Sequence, residues 1–185
     1  VRALQVLGRQ SGTGPGIAAV RELASLTASA RTLADLRLVV GQFGGLSSLT
    51  RQLVQALRQR SATVIASDEP DASAQALAAN RFAATAYIGF DAEPGVEPTV
   101  YYYAVPQFES VGGRGLATRI AMECGRSTTF GPAISGMRMP ILRETRMPAV
   151  LFSTGDAQSM LDEAPDIVTA VVDALEVWAS TPVED

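Results

Sequence analysis

From Leu36 onward the sequence alternates two incompatible periodicities, and this narrows the available folds more than any other feature. The stretch LRLVVGQFGGL (36–46) is a largely apolar run that ends in a glycine turn, the pattern of a strand buried on both faces. Ser48–Arg60 follows at helical spacing, with Leu49, Leu53, Ala56 and Leu57 on one face. A second strand is predicted over Ala62–Ala66, and a helix with an acidic start that suits its dipole over Asp71–Asn80. A third strand is predicted over Tyr87–Phe90, ahead of the loop DAEPGVEP. The segment TVYYYAV (99–105) is β-prone throughout. Gly115–Cys124 reads as helix, the region of Gly131, Pro132 and Gly136 as loop, and PAVLFS (148–153) as a buried strand. Asp166–Ala179 closes the pattern as an amphipathic helix carrying Ile167, Val171, Leu175 and Trp178. Such alternation predicts an α/β fold: a twisted, largely parallel or mixed sheet of about five to six strands with helices on both faces.

The first 34 residues lack this rhythm. Val1–Leu7 and Ile17–Leu26 have helical spacing, and between them SGTGPG (11–16) is rich in breakers. Residues 1–34 are therefore expected to form an appendage or linker, and residues 35–185 the α/β domain.

Composition removes several classes of function. A net charge of −4 without a basic stretch argues against a nucleic-acid partner. No apolar run approaches the length of a membrane span. The single cysteine, Cys124, permits a reducing compartment, and no charged-then-apolar leader opens the sequence, so the expectation is a cytoplasmic protein. Histidine is absent altogether. A Ser-His-Asp hydrolase, a Cys-His protease and a His-ligated zinc enzyme are excluded in their usual forms.

In open α/β sheets, sites gather at the carboxyl ends of strands. Here these are Gly41–Gly45, Asp91–Glu93 and Ser153–Gly155. The glycine turn suits either a phosphate cradle or a plain strand-to-helix turn, but its spacing matches no nucleotide motif and the chain has no lysine. Asp91 and Glu93 suit acid–base or metal chemistry, or a solvated loop. Arg138, Arg143 and Arg146 suit recognition of carboxylate or phosphate, or local ion pairing.

Taken in order, several segments resemble the zinc-dependent N-acetylmuramoyl-L-alanine amidases of the type 3 class. AANRFAATAYIGFDAE (78–93) is similar to the segment bearing that family's second zinc histidine, with Asn80 on the family's asparagine and Asp91 where the histidine would stand. TVYYYAVPQFESVGGRGLATRIA (99–121) keeps the family pattern at Ser110, Leu116, Ala117 and Ile120. GMRMPILRETRMPAVLFSTG (136–155) matches at Ile141, Leu142, Arg143, Thr145 and Pro148 to Leu151, with Ser153 in place of the catalytic glutamate. The opening stretch resembles the family's first strand but is one residue short, so that Phe43 or Gln42 replaces the first zinc histidine. The family's glutamate ligand on the next helix has no counterpart, since Leu46–Thr50 carries no acid.

The resemblance spans about residues 34–180 and implies the amidase fold and a role in peptidoglycan metabolism. Without the ligand set it implies no metal, no cofactor and no catalytic residue. A zinc amidase needs three protein ligands and one open position to activate water. The resulting expectation is a pseudoenzyme that regulates or scaffolds cell-wall synthesis through a protein partner. One alternative is a module that binds a peptidoglycan fragment in the old groove, lined by Gln42, Phe43, Asp91, Glu93, Arg143 and Ser153. Another is a hydrolase with non-standard groups, using Asp91 or Glu93 as base and Ser153 as nucleophile. A serine with neither histidine nor lysine beside it is poorly activated. The opening VRALQVL also resembles the last helix of a small peptidoglycan-binding repeat.

Overall fold

The computed structural model describes Glu22, Ala24, Leu26 and residues 31–182. The expected helical scrap at 1–7 and the breaker-rich linker at 11–16 lie outside the described residues.

The apolar runs become strands because each has two faces to bury. In β1 (Arg37–Gln42), β3 (Ala86–Ala92) and β7 (Ala149–Thr154), alternate side chains enter opposite cores. Leu38, Val40, Ile88, Phe90, Val150 and Phe152 face one core; Val39, Tyr87 and Leu151 face the other. The three strands are parallel neighbours, with β2 (Thr63–Ser67) parallel to β1 at one edge. On the other side β4 (Thr99–Val105) runs antiparallel to β7 and parallel to β6 (Ala133–Met137). The two-residue β5 (Phe108–Glu109) pairs with the end of β4. The sheet is thus mixed, in the order β2-β1-β3-β7-β4, with β6 continuing from β4.

The larger core lies under α1 (Ser47–Gln59), α3 (Val111–Ser127), α5 (Ala157–Asp162) and α6 (Ala164–Ser180). Leu49, Leu53 and Leu57 of α1 and Ile167, Val171, Leu175 and Trp178 of α6 pack there, on the predicted faces. The smaller core lies under α2 (Ala72–Arg81) and α4 (Pro140–Glu144), through Ala76, Ala79, Ile141 and Leu142. The acidic start of α2 is a cap: the Asp71 carboxylate accepts the Ser73 N–H at 2.9 Å.

Two expected segments are revised by the structure, and β5, α4 and α5 fall where no element was expected. The stretch expected to be loop around Gly136 is strand β6. As an edge strand it is mostly exposed, so it carries no buried alternation for a periodicity argument to find. Its glycine is required sterically, because a Cβ at Gly136 would lie 2.6 Å from that of Ala104. Helix α3 starts at Val111 and not Gly115. Its first turn is concealed by Gly112 and Gly113, and is held by Ser110, whose Oγ accepts the Gly113 N–H at 3.1 Å.

The described residues before position 35 pack onto this domain. Leu26 and Leu33 enter the larger core. The Ser110 hydroxyl donates to Glu22 Oε1 at 2.6 Å, and the Arg31 N–H donates to the Ala179 carbonyl at 3.2 Å. No described helix is long and apolar enough to cross a membrane.

Candidate functional site at the strand ends

Parallel alignment of β1, β3 and β7 brings three of the predicted segments to one edge. Asp91 and Ser153 are register partners, Gln42 pairs with Phe90, and Thr99 at the start of β4 pairs with Ser153. Beyond the ladder, the Phe43 N–H donates to the Phe90 carbonyl at 2.8 Å and the Glu93 N–H to the Thr154 carbonyl at 2.9 Å. Strand alternation then sorts the side chains. Asp91 and Ser153 point to the face covered by α2 and α4, and Phe43 packs against the smaller core on that side. Gln42 points to the α1 face.

Gln42 is fully engaged as a helix anchor. Its Oε1 accepts the Leu46 N–H at 2.8 Å, and its Nε2 donates to Asp68 Oδ1 at 3.1 Å and to Ser47 Oγ at 3.4 Å. Ser47 Oγ donates to the same Asp68 oxygen at 3.1 Å. A buried amide thus supplies the side-chain acceptor at the start of α1, where Leu46 has none to offer. The turn between them needs glycine because Gly44 and Gly45 both adopt positive φ, 85° and 84°.

Gly41 has a different reason. Tyr87 donates its phenol proton to Gln75 Oε1 at 2.7 Å, and the pair crosses directly over Gly41. A Cβ at Gly41 would stand 2.2 Å from both the Tyr87 hydroxyl and Gln75 Oε1. Gln75 also donates to the carbonyls of Gln42 and Glu69, at 3.2 and 2.6 Å. Sequence reading alone passes over Gln75 and Tyr87. Their only signal is a glutamine on the alanine-lined face of α2 and a hydroxyl-bearing ring in a largely apolar strand.

Asp91 is half-buried. Desolvation raises its pKa above the ordinary carboxylate value, and the nearby Glu93 charge adds to the effect. The Ala92 N–H and the Ser153 hydroxyl, which both donate to it, oppose the shift. Ser153 itself is only 2% exposed. Arg143 lies apart from this group, on α4. Its guanidinium donates to the Glu144 carboxylate, and the Glu144 carbonyl is braced by Asn80 of α2 at 2.8 Å. The structure therefore joins Asp91 and Ser153 with Phe43 and Glu93 beside them, gives Gln42 to α1, and engages Arg143 with its neighbour.

The zinc that the sequence resemblance brings to mind does not fit these residues. Among the described residues no group of three or more His, Cys, Asp or Glu side chains is placed to hold a metal ion. Asp91 and Glu93 stand together at this edge, Asp68 is engaged by Gln42 and Ser47, Phe43 is a hydrocarbon, and Gln42 has its amide occupied. Such a donor set does not make a zinc site.

The chain matches no protein-family model, and no curated protein matches it in sequence. Solved structures do match. The N-acetylmuramyl-L-alanine amidase Ami1 from Mycobacterium smegmatis aligns with a TM-score of 0.65 at 14% identity, over 80% of this chain and 98% of that one. The N-acetylmuramoyl-L-alanine amidase AmiC2 of Nostoc punctiforme aligns with a TM-score of 0.62 at 16% identity, over 77% and 96%. The CwlD amidase from Clostridioides difficile, solved in complex with the GerS lipoprotein, gives 0.55 at 11% identity, over 78% and 98%. The chain has the fold of the N-acetylmuramoyl-L-alanine amidases.

Proposed function

We infer that this is a catalytically inactive amidase-fold domain that acts as a regulator or scaffold in peptidoglycan metabolism. The observation that carries the reading is the occupancy of the strand ends. Where zinc chemistry requires three ligands and an open position, this fold presents Phe43, a helix-anchoring Gln42, and an Asp91–Ser153 pair in a chain with no histidine. Loss of one ligand is open to repair by a neighbour. Replacement of the whole donor set by a hydrocarbon, an engaged amide and a buried serine leaves no such route.

The partner is proposed to be a protein of cell-wall synthesis. Support comes from CwlD, an amidase of the same fold solved in complex with a lipoprotein. The buried, unpaired Cys124 suits a reducing compartment, and a cytoplasmic location belongs to the proposal. The alternative that the strand ends still bind a peptidoglycan fragment rests on Asp91, which is half-buried at the carboxyl edge next to Phe43. An unconventional hydrolase is the weakest reading, since Ser153 is buried and the chain has neither histidine nor lysine to activate it.

The test is metal analysis of the purified protein together with amide cleavage of defined muropeptides. The expected outcome is substoichiometric zinc and no turnover. Stoichiometric zinc with turnover would overturn the reading. Saturable muropeptide binding without turnover would favour the fragment-binding module.

A further inference from the structure

Helix α1 is unusual in an acidic chain: it carries Arg51 and Arg58, with Arg60 just past its end, and no carboxylate. Arg60 is paired with Glu176. Arg51 and Arg58 are not so neutralised. Among the described residues their guanidinium groups bond only to backbone, Arg51 to the Ser47 carbonyl at 3.2 Å and Arg58 to that of Val64 at 2.9 Å. The two arginines line an open cleft of about 660 Å³ between α1 and edge strand β2, together with Val54, Gln55, Gln59 and Ala66.

Among the described residues the edge itself is half free. Thr63 donates its N–H to Leu36 across the β1 ladder. In a parallel pair alternate residues bond the same neighbour, so Thr63, Ile65 and Ser67 face β1 while Val64 and Ala66 face outward. Arg58 takes the Val64 carbonyl. Ala66 keeps both its N–H and its carbonyl toward the cleft.

We propose that the cleft between α1 and β2 docks an extended acidic peptide segment of a partner protein, its backbone pairing with Ala66 and its carboxylates with Arg51 and Arg58. The geometry suits alternate acidic residues. Side chains on one face of a strand recur about every 7 Å, and Arg51 and Arg58, seven residues apart on a helix, stand about 10 Å apart. Two flexible guanidinium forks thus span two successive carboxylates. Gln55 and Gln59 add donors beside them. Backbone pairing supplies affinity and the arginines supply selection for charge. This surface lies at the sheet edge two strands away from β3, so it stands independently of the inactive-amidase reading.

The experiment uses the full chain and a fluorescein-labelled synthetic peptide of alternating threonine and glutamate, followed by anisotropy at low salt. Saturable binding is expected, weakening as salt rises. Glutamine in place of glutamate is expected to weaken it about tenfold or more, the scale of one lost charge-assisted contact. The double variant Arg51→Glu/Arg58→Glu should abolish binding. Both positions are exposed, and unchanged thermal melting of the variant confirms that its fold is intact. Arg126→Glu, an exposed charge on α3 paired with Glu123, should leave binding unchanged. Absence of saturable binding, equal binding of the glutamine peptide, or full binding by the folded double variant would each overturn the proposal. In those cases the arginines serve only to guard an open edge.

Discussion

The sharpest test of the strand-end geometry is the substitution Gly41→Ala. The added methyl would lie 2.2 Å from the Tyr87 hydroxyl, 2.2 Å from Gln75 Oε1 and 2.9 Å from Tyr87 Cζ. None of these can retreat easily: Tyr87 and Gln75 are both fully buried, and they are bonded to each other at 2.7 Å. Overpacking a filled core costs about 1–3 kcal/mol. Parting the phenol from the amide leaves buried groups without partners, at about 1–3 kcal/mol more. The sum is a loss of about 2–6 kcal/mol, a fall in melting temperature of roughly 10 °C for a domain of this size. Trp178, the one tryptophan and 1% exposed, reports unfolding by fluorescence in a urea titration. Tyr87→Phe removes the hydroxyl half of the clash, so the double variant should lose less than the sum of its singles, a coupling of about 1 kcal/mol. If Gly41→Ala unfolds within about 1 kcal/mol of the parent, the steric account of this glycine is wrong, and a role in turn flexibility or ligand approach regains its place.

The remaining predictions concern charge, capping and metal. Asp91 has a folded pKa above its ordinary value, chiefly through desolvation. A carboxyl raised on folding favours the native state while protonated, and that advantage is lost as pH climbs through the unfolded and then the folded pKa. Asp91→Asn should therefore melt like the parent near about pH 3 and higher than the parent at about pH 7; a gap that narrows on going from acid to neutral pH would refute this assignment. Ser110→Ala removes both the cap on α3 and the hydroxyl that donates to Glu22. It should cost about 1–2 kcal/mol in chemical denaturation, and a neutral result would mean that Glu22 alone serves the helix start. Finally, a ligand that binds only the native state raises its melting temperature. Zinc addition or chelator dialysis should leave the transition of this protein where it was, and a reproducible rise with zinc would reveal a site that the donor set does not provide.

What can be read from sequence follows burial. β1, β3 and β7 are flanked by helices on both faces, so nearly every residue is apolar and the run announces itself. β6 is an exposed edge whose glycine fits under Ala104, and neither property leaves a periodic trace. The strand ends are legible because topology alone places them. The roles of their side chains are not, because these depend on which face each residue takes and on what arrives from elsewhere in the chain. Gln42 follows Gly41 by one position and so faces α1, where Ser47 and Asp68 meet it. Arg143 reads as a fork for a ligand carboxylate until the adjoining Glu144 is seen to accept it. Gly41 reads as part of a ligand turn until Tyr87 and Gln75, far away in sequence, are found lying across it.

The same distinction explains why the resemblance to amidases survives in some positions and not in others. Asn80 donates to the Glu144 carbonyl and accepts the Arg146 N–H, locking α2 to the turn before β7. Ser110 caps α3; Leu116, Ala117 and Ile120 of that helix are fully buried. Ile141 and Leu142 fill the smaller core, Thr145 closes α4 through the Ile141 carbonyl, and Ala149 to Leu151 form the buried start of β7. Each of these residues does architectural work. The departures sit at the carboxyl edge, where a metal enzyme accepts a destabilising cluster of ligands for the sake of chemistry. On the inactive-domain reading proposed above, the edge is released from that constraint and free to stabilise the fold. Phe43 adds apolar contact to the smaller core, and Gln42 satisfies the start of a helix that otherwise lacks a side-chain cap. On this argument, Phe43→His and Gln42→His should each lower the urea midpoint of the domain, because those positions help to hold the scaffold together; an unchanged midpoint would refute it.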